Sequence, residues 1–389
     1  MALGWTVLIL LAVSRGGLAE AALYNAAMLV GVVLSAPVTG WLSRRLSGRT
    51  LLRGAAAAEF VLRFAVLFGL IAGLPSWLIA IGVVVMHVAA WAGFAGMRAE
   101  VNAVDASPRA MTRFALCIAA VEAAGTCLGA LLPSGPDGYP TGWMLVAVFA
   151  GYGGSLLPTF LNARRARVGI RGPAGSGTVV GSGAHRATGS PARRRLAVSP
   201  RLLAAGGAIM LLASGPTLLA VPLTTELHGR AWVAGAAVAF SLGCLLSTLA
   251  IETIGRMRLP AVLRWSVWGL GMLIGWIYAP LHAVSLLLAQ FLAGISQTAF
   301  EGDMDARVAE EAPPEGVTTA LAYSASTRAL GGSIAVRLLP MLVTAQAIGA
   351  AVSTAVLVLG VAALLIWVVT TLPRLPIRRS PRSLTPSSA

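Results

Sequence analysis

Two charged residues stand by themselves in long apolar stretches: Glu122 in CIAAVEAAGTCLG and Arg328 in YSASTRALGG. A charge at membrane depth costs about 2.5–3.5 kcal/mol on insertion scales, so a side chain kept there serves either chemistry or packing. A carboxyl at Glu122 can take up and release a proton. A guanidinium at Arg328 can hold an anionic or polar part of a bound molecule, or pair with Glu122. The same two residues also suit a buried polar pair that locks helices together.

Around these two lie polar or aromatic points on otherwise apolar stretches: His87, Trp91, Ser214, Thr217, Gln290 and Gln297. They are candidates for lining a cavity, although a single residue of this kind is more often a packing or interfacial one. Glu59 and Arg63 are four apart, which on a helix puts them on one face as a structural pair. The stretch EGDMDARVAEEAPPE, Glu301 to Glu315, carries six of the fourteen acidic residues. Its carboxylates, Asp303 and Asp305 among them, can latch onto Arg44, Arg45, Arg49, Arg256 or Arg258, or can stay solvated as exposed pairs worth about 0–1 kcal/mol each.

Other chemistries lack their residues. The four histidines, His87, His185, His228 and His282, are too scattered for a metal site. A phosphate-cradling loop of the Gly-x-x-x-x-Gly-Lys type needs a lysine, and the chain has none. Cys117, Cys127 and Cys244 sit inside apolar runs, so neither a disulfide framework nor a thiolate metal site is expected. No catalytic constellation and no cofactor are expected.

The elements that must position these residues follow from composition. Of 389 residues, 57% are apolar and 11% charged, against about 25% charged in soluble domains. Too few charges remain to cover a soluble fold of this size, and the class is integral membrane. Crossing the hydrocarbon core takes about 20 apolar residues. Runs of that size recur at 3–19, 21–43, 51–73, 77–97, 111–132, 142–162, 202–223, 231–251, 259–279, 283–300, 317–339 and 346–371. These predict twelve transmembrane helices, with the first run a retained helix rather than a cleaved leader.

The formal net charge is +15, and all 29 basic residues are arginine. Nucleic-acid binding would need a basic face with interleaved aromatics; these arginines form short clusters between apolar runs, as a topology signal does. Alternating the spans puts 24 of the 29 arginines in loops on one side. That side is read as cytoplasmic, with both termini on it and the chain in the plasma membrane. The Gly/Ser/Ala/Arg-rich segment 168–200 reads as a flexible cytoplasmic linker. It separates an N-terminal six-helix half, 1–167, from a C-terminal one, 201–373, with a tail at 374–389.

The halves resemble each other. GVVLSAPVTGWLSRR (31–45) aligns with GCLLSTLAIETIGRM (243–257), Gly31 meeting Gly243, and DASPRAMTRFAL (105–116) with EEAPPEGVTTAL (310–321). The second offset, 205, brings Glu122 to within one residue of Arg328. Parallel repeats joined by a linker are a transporter architecture with the binding cavity between the halves.

With that pattern the chain resembles the major facilitator superfamily over nearly its whole length. That family's signature after its second helix runs Gly-x-Leu-Ala-Asp-Arg, an aromatic or aliphatic residue, then Gly-Arg-Arg. Gly40, Leu42, Arg45, Gly48 and Arg49 fit it, Ser47 is an insertion, and Arg44 replaces the aspartate. The Arg-x-x-Gln-Gly pattern of proton-coupled members is absent from HVAAWAGFAGMRAE. The Gly-Pro pattern of drug antiporters is not reproduced by Gly125, Gly129 and Pro133. The resemblance implies an all-α fold of two pseudo-symmetric halves that exports a small organic molecule by alternating access, coupled to protons. An importer or uncoupled facilitator of the same fold is the alternative, and a membrane scaffold or intramembrane enzyme the reading of a different class. It also implies a monomer whose partners are its cargo, protons and the bilayer, and a cytoplasmic gate at Gly40, Arg44, Arg45, Gly48, Arg49, Asp303 and Asp305.

Overall fold

A computed structural model describes residues 2–42, 45–104, 108–132, 143–166, 199–255, 259–312 and 317–371. Arg44, Arg256, Arg258, most of the expected linker and the tail lie outside them. The described residues hold fourteen α-helices: α1 (Ala2–Leu42), α2 (Gly48–Ile71), α3 (Ser76–Val104), α4 (Pro108–Leu131), α5 (Trp143–Gly154), α6 (Leu157–Asn162), α7 (Pro200–Ala213), α8 (Gly215–Leu218), α9 (Ala220–His228), α10 (Ala231–Gly255), α11 (Ala261–Ile274), α12 (Ala283–Glu311), α13 (Val317–Leu342) and α14 (Ile348–Thr371). No strand occurs among them. By length and composition, seven helical stretches are long and apolar enough to cross a membrane, and three shorter apolar helices accompany them. In lipid every backbone polar group must be satisfied within the protein, and helices meet that requirement segment by segment.

α1 is broken in its interior. Gly16 (φ −144°) and Gly17 (φ 61°, ψ −157°) leave helical geometry, and a positive φ of that kind is open to glycine at little cost. The helix therefore divides at 16–17, a few residues before the expected break at 19–21. The expected span 202–223 is also broken. It becomes α7, α8 and α9, because Pro216 and Pro222 each remove a ladder donor.

Two apolar cores result. One is built from α1, α2, α3 and α5 around Leu8, Ile9, Tyr24, Leu67, Met86 and Tyr152. The other is built from α7 to α14 around Trp265, Met272, Trp276 and Phe300. The part of α1 after Gly17 serves both: Ala21, Tyr24 and Ala27 enter the first core, while Leu18, Ala22, Ala26 and Leu29 enter the second. A helix apolar on all sides suits such a place between two packed groups.

The aligned glycines play matching parts. A Cβ on Gly31 of α1 would lie 2.6 Å from the Val84 carbonyl oxygen of α3. On Gly243 of α10 it would lie 2.1 Å from the Phe291 carbonyl oxygen of α12. Each glycine lets two backbones meet where no side chain fits, the usual use of small residues in membrane helix packing.

Candidate functional site

The two groups of helices, α1–α6 and α7–α14, meet along a seam where α1 packs on α13 and α9, and α4 on α10. The hydrogen bonds across it cluster toward one end. Ser333 Oγ donates to the Ala26 carbonyl at 3.3 Å, and Cys127 Sγ lies 3.6 Å from the Ala234 carbonyl. Arg230, in the turn before α10, donates to the carbonyls of Gly129 (3.2 Å), Ala130 (3.1 Å) and Leu132 (2.9 Å). These belong to the last turn of α4, whose carbonyls have no helical partner and which forms the negative end of the helix dipole. Partial burial pulls the Arg230 pKa below its ordinary value; the three carbonyls replace the water it gives up.

At the opposite end the seam is less covered. Beyond Gly31, α1 buries only Ser35 among its described residues, and Leu34, Val38 and Trp41 are exposed. Leu245, Leu246 and Leu249 of α10 and Tyr323 of α13 are exposed as well. This is the end at which α1 leads into the arginines before and within α2. Among the described residues, the hydrogen bonds between the groups lie near Arg230, and toward the arginine-rich loops α1, α10 and α13 carry exposed apolar side chains.

The candidate carboxylates stand along this seam. Glu122 of α4 keeps an accessible side chain, while protein atoms surround most of its carboxyl. Its charge and that of Glu301 on α12 are both felt at Cys244 of α10. Gln297 Nε2 donates to Glu301 Oε1 at 3.2 Å. Arg328 is buried, and its partner is Asp305, at 3.0 Å, rather than Glu122. It also donates to the Glu301 carbonyl at 3.1 Å, while Ser324 Oγ donates to Asp305 at 3.1 Å. Two residues earlier on α12, Asp303 accepts two hydrogen bonds from Arg264 of α11, at 2.9 and 2.6 Å. Both proposed latch carboxylates are therefore held by arginines of their own group of helices, and neither contacts Arg45 or Arg49.

The other expected site residues divide. His87 is buried, with Nδ1 2.9 Å from the Val83 carbonyl and its ring edge-on to Trp5 at 4.9 Å: a satisfied core histidine. Trp91 is exposed beside Phe94, at 5.3 Å. Ser214 is buried and donates back to the Met210 carbonyl. It sits where a Cβ on Gly332 of α13 would come within 3.4 Å of its Oγ. Thr217 Oγ1, Gln290 Nε2 and Gln297 Oε1 are buried polar atoms without a hydrogen-bond partner. Of the gate residues, Gly40 lies near the end of α1, Gly48 opens α2 after the Ser47 cap, and Arg49 is exposed. Arg45 covers the Trp41 ring at 4.3 Å.

The Glu59–Arg63 pair forms as expected, and it is buried. Arg63 also donates to the Tyr152 carbonyl and to Ser155 Oγ (2.7 Å) and covers the Tyr152 ring at 4.4 Å. It ties α2 to the end of α5, away from the seam. Glu59→Gln keeps an acceptor and removes the charge. It is expected to lower stability by about 2 kcal/mol in a thermal melt and to leave transport rates within twofold.

No family model matches the sequence, and no curated protein matches it. Solved structures do match. A mutant of the nucleoside transporter NupG superposes with a TM-score of 0.67 at 12% identity, covering 94% of this chain and 96% of that one. A D-xylose–proton symporter gives 0.66 at 13%, covering 94% of each. The inward-open conformation of the xylose transporter XylE from E. coli gives 0.63 at 12%, covering 94% and 93%. The chain is a multi-pass membrane protein with apolar spanning helices. Its fold is the one these solved transporters have, over nearly its full length.

Proposed function

We propose that this chain is a secondary transporter that moves a small organic molecule by alternating access. Its units are the halves 1–167 and 201–373, each of six spans, joined by the cytoplasmic linker 168–200, with the tail 374–389 and both termini in the cytoplasm of a plasma-membrane monomer. The observation that carries the reading is the uneven seam among the described residues: hydrogen-bonded at the Arg230 end and flanked by exposed apolar side chains toward the arginine-rich end. Two packed groups joined at one end can rock about that contact, which is how parallel-repeat transporters expose a midplane site to each side in turn. The likeness to the inward-open xylose transporter supports the same conformation here.

Within the gap, Glu122 takes and gives the coupling proton, Arg328 receives an anionic or polar group of the cargo in exchange for Asp305, and Thr217, Gln290 and Gln297 supply hydrogen bonds. Coupling to protons is supported by the likeness to a D-xylose–proton symporter and by the position of Glu122 on the seam. The apolar character of the chain supports export; the symporter likeness favours import as the second reading. Proteoliposomes loaded with candidate nucleosides, sugars and apolar drugs separate the two. Export predicts efflux driven by protons entering on the side opposite the linker, import predicts uptake with them, and no flux with any gradient contradicts transport. In the same vesicles Glu122→Gln is expected to abolish gradient-driven accumulation by at least tenfold while cargo exchange at equal pH continues. Full gradient-driven accumulation in this variant would remove the proton role from Glu122.

A further inference from the structure

We propose that the outer face of α2 carries a binding site for one anionic phospholipid, whose phosphate is held by Arg49, Arg53 and Arg164 and whose acyl chain lies along a phenylalanine stripe. The arginines come together because α2 packs against α6 and the turn that follows it. The Arg53 guanidinium covers the Phe160 ring at 5.3 Å, and the charges of Arg49 and Arg164 both bear on it. Its Nε is buried without a hydrogen-bond partner. Five other described arginines find acids: Arg15 with Glu20, Arg63 with Glu59, Arg264 with Asp303, Arg307 with Glu310 and Arg328 with Asp305. Among the described residues no carboxylate forms an ion pair with Arg49, Arg53 or Arg164. Three converging cations with no acid call for an anion from outside the chain.

The apolar part of the site follows on the same face. Arg53, Phe60, Phe64 and Phe68 are spaced seven, four and four residues apart, which stacks them on one side of α2. Phe60 and Phe64 touch at 4.8 Å, and Phe64 stacks on Phe149 of α5 at 5.1 Å. Phe64, Ala65, Phe68 and Phe149 line a surface groove of about 410 Å³. From Arg53 to Phe64 the helix rises about 16 Å, one leaflet of a hydrocarbon core about 30 Å thick. A cationic cradle continuous with an apolar groove of leaflet depth has the shape of a phospholipid, whereas a free phosphate would use only its upper part. Cargo is the poorer occupant, because α2 packs on α1, α3, α5 and α6 and turns this face away from the seam.

The test uses the full chain purified in a neutral detergent, with bound lipid counted by native mass spectrometry and affinity read from thermal melts. Phosphatidylglycerol is expected to bind at one per chain and raise the melting temperature saturably. Phosphatidylcholine and inorganic phosphate at the same concentrations should not. Arg53→Gln and Arg164→Gln should each weaken phosphatidylglycerol binding about fivefold. Phe64→Ala should weaken it while leaving the preference over phosphatidylcholine intact, and Arg307→Gln should have no effect. Arg164 is exposed, so its variant carries the charge test even if Arg53→Gln fails to fold. Equal stabilisation by phosphatidylcholine, an equal response to inorganic phosphate, or unchanged affinity in Arg164→Gln would overturn the proposal.

Discussion

Exchanging Arg230 for glutamine is expected to shift the protein out of the conformation described here by a factor of a hundred or more. The guanidinium makes three hydrogen bonds to the last carbonyls of α4, and bonds to a charged group are each worth about 1.5–3 kcal/mol net. Glutamine can donate to two of these carbonyls at most and carries no charge against the helix dipole. A net loss of about 3 kcal/mol is a hundredfold change in equilibrium. The seam near Ser333, now buried, would then open more often. The readout is the alkylation rate of a Ser333→Cys reporter in a background with Cys117, Cys127 and Cys244 replaced. The rate should rise at least a hundredfold in the Arg230→Gln protein and less in Arg230→Lys, which keeps the charge but not the planar fork. Equal rates in all three would mean that Arg230 contributes nothing to the closure.

Arg328→Gln is expected to lower turnover at least a hundredfold in a protein that still folds. Arg328 is buried and its counter-ion Asp305 is not fully so, which leaves the carboxylate free to leave and a bound group free to replace it. Without the guanidinium, Asp305, Ser324 and the Glu301 carbonyl lose the cation that gathers them, and an anionic cargo loses its anchor. A lysine at 328 restores a point charge but only one of the two directed contacts, so partial recovery is expected. Transport per folded molecule and thermal stability must be measured together. A purely structural arginine would lower the melting temperature and leave turnover per folded molecule unchanged.

Sequence patterns predicted the parts of this fold that follow from local chemistry. The apolar runs become helices, and the aligned pair Gly31 and Gly243 marks two equivalent helix contacts. The i,i+4 spacing of Glu59 and Arg63 becomes an ion pair. The rest depends on neighbours that spacing does not name. Tyr152 and Ser155 reach Arg63 from about ninety residues away. The repeat offset aligned Glu122 with Arg328 as equivalent positions, yet equivalent positions in two halves need not touch, and the partner came from the adjoining helix. Its place in an acidic stretch makes Asp303 look like a gate carboxylate; the start of α11 brings Arg264 onto it instead. Arg230 stands by itself, outside the arginine clusters between the apolar runs. Its part depends on where α4 ends, which no periodicity shows.

The rocking of the two groups about the Arg230 end is the claim on which the functional reading depends. Paired spin labels at Val38 and Tyr323, both exposed toward the arginine-rich end of the seam, measure it directly by electron–electron distance in lipid nanodiscs. The account predicts two distance populations, with the shorter one gaining in the Arg230→Gln protein and responding to cargo. A single distance, unchanged by Arg230→Gln and by every cargo tried, would contradict it.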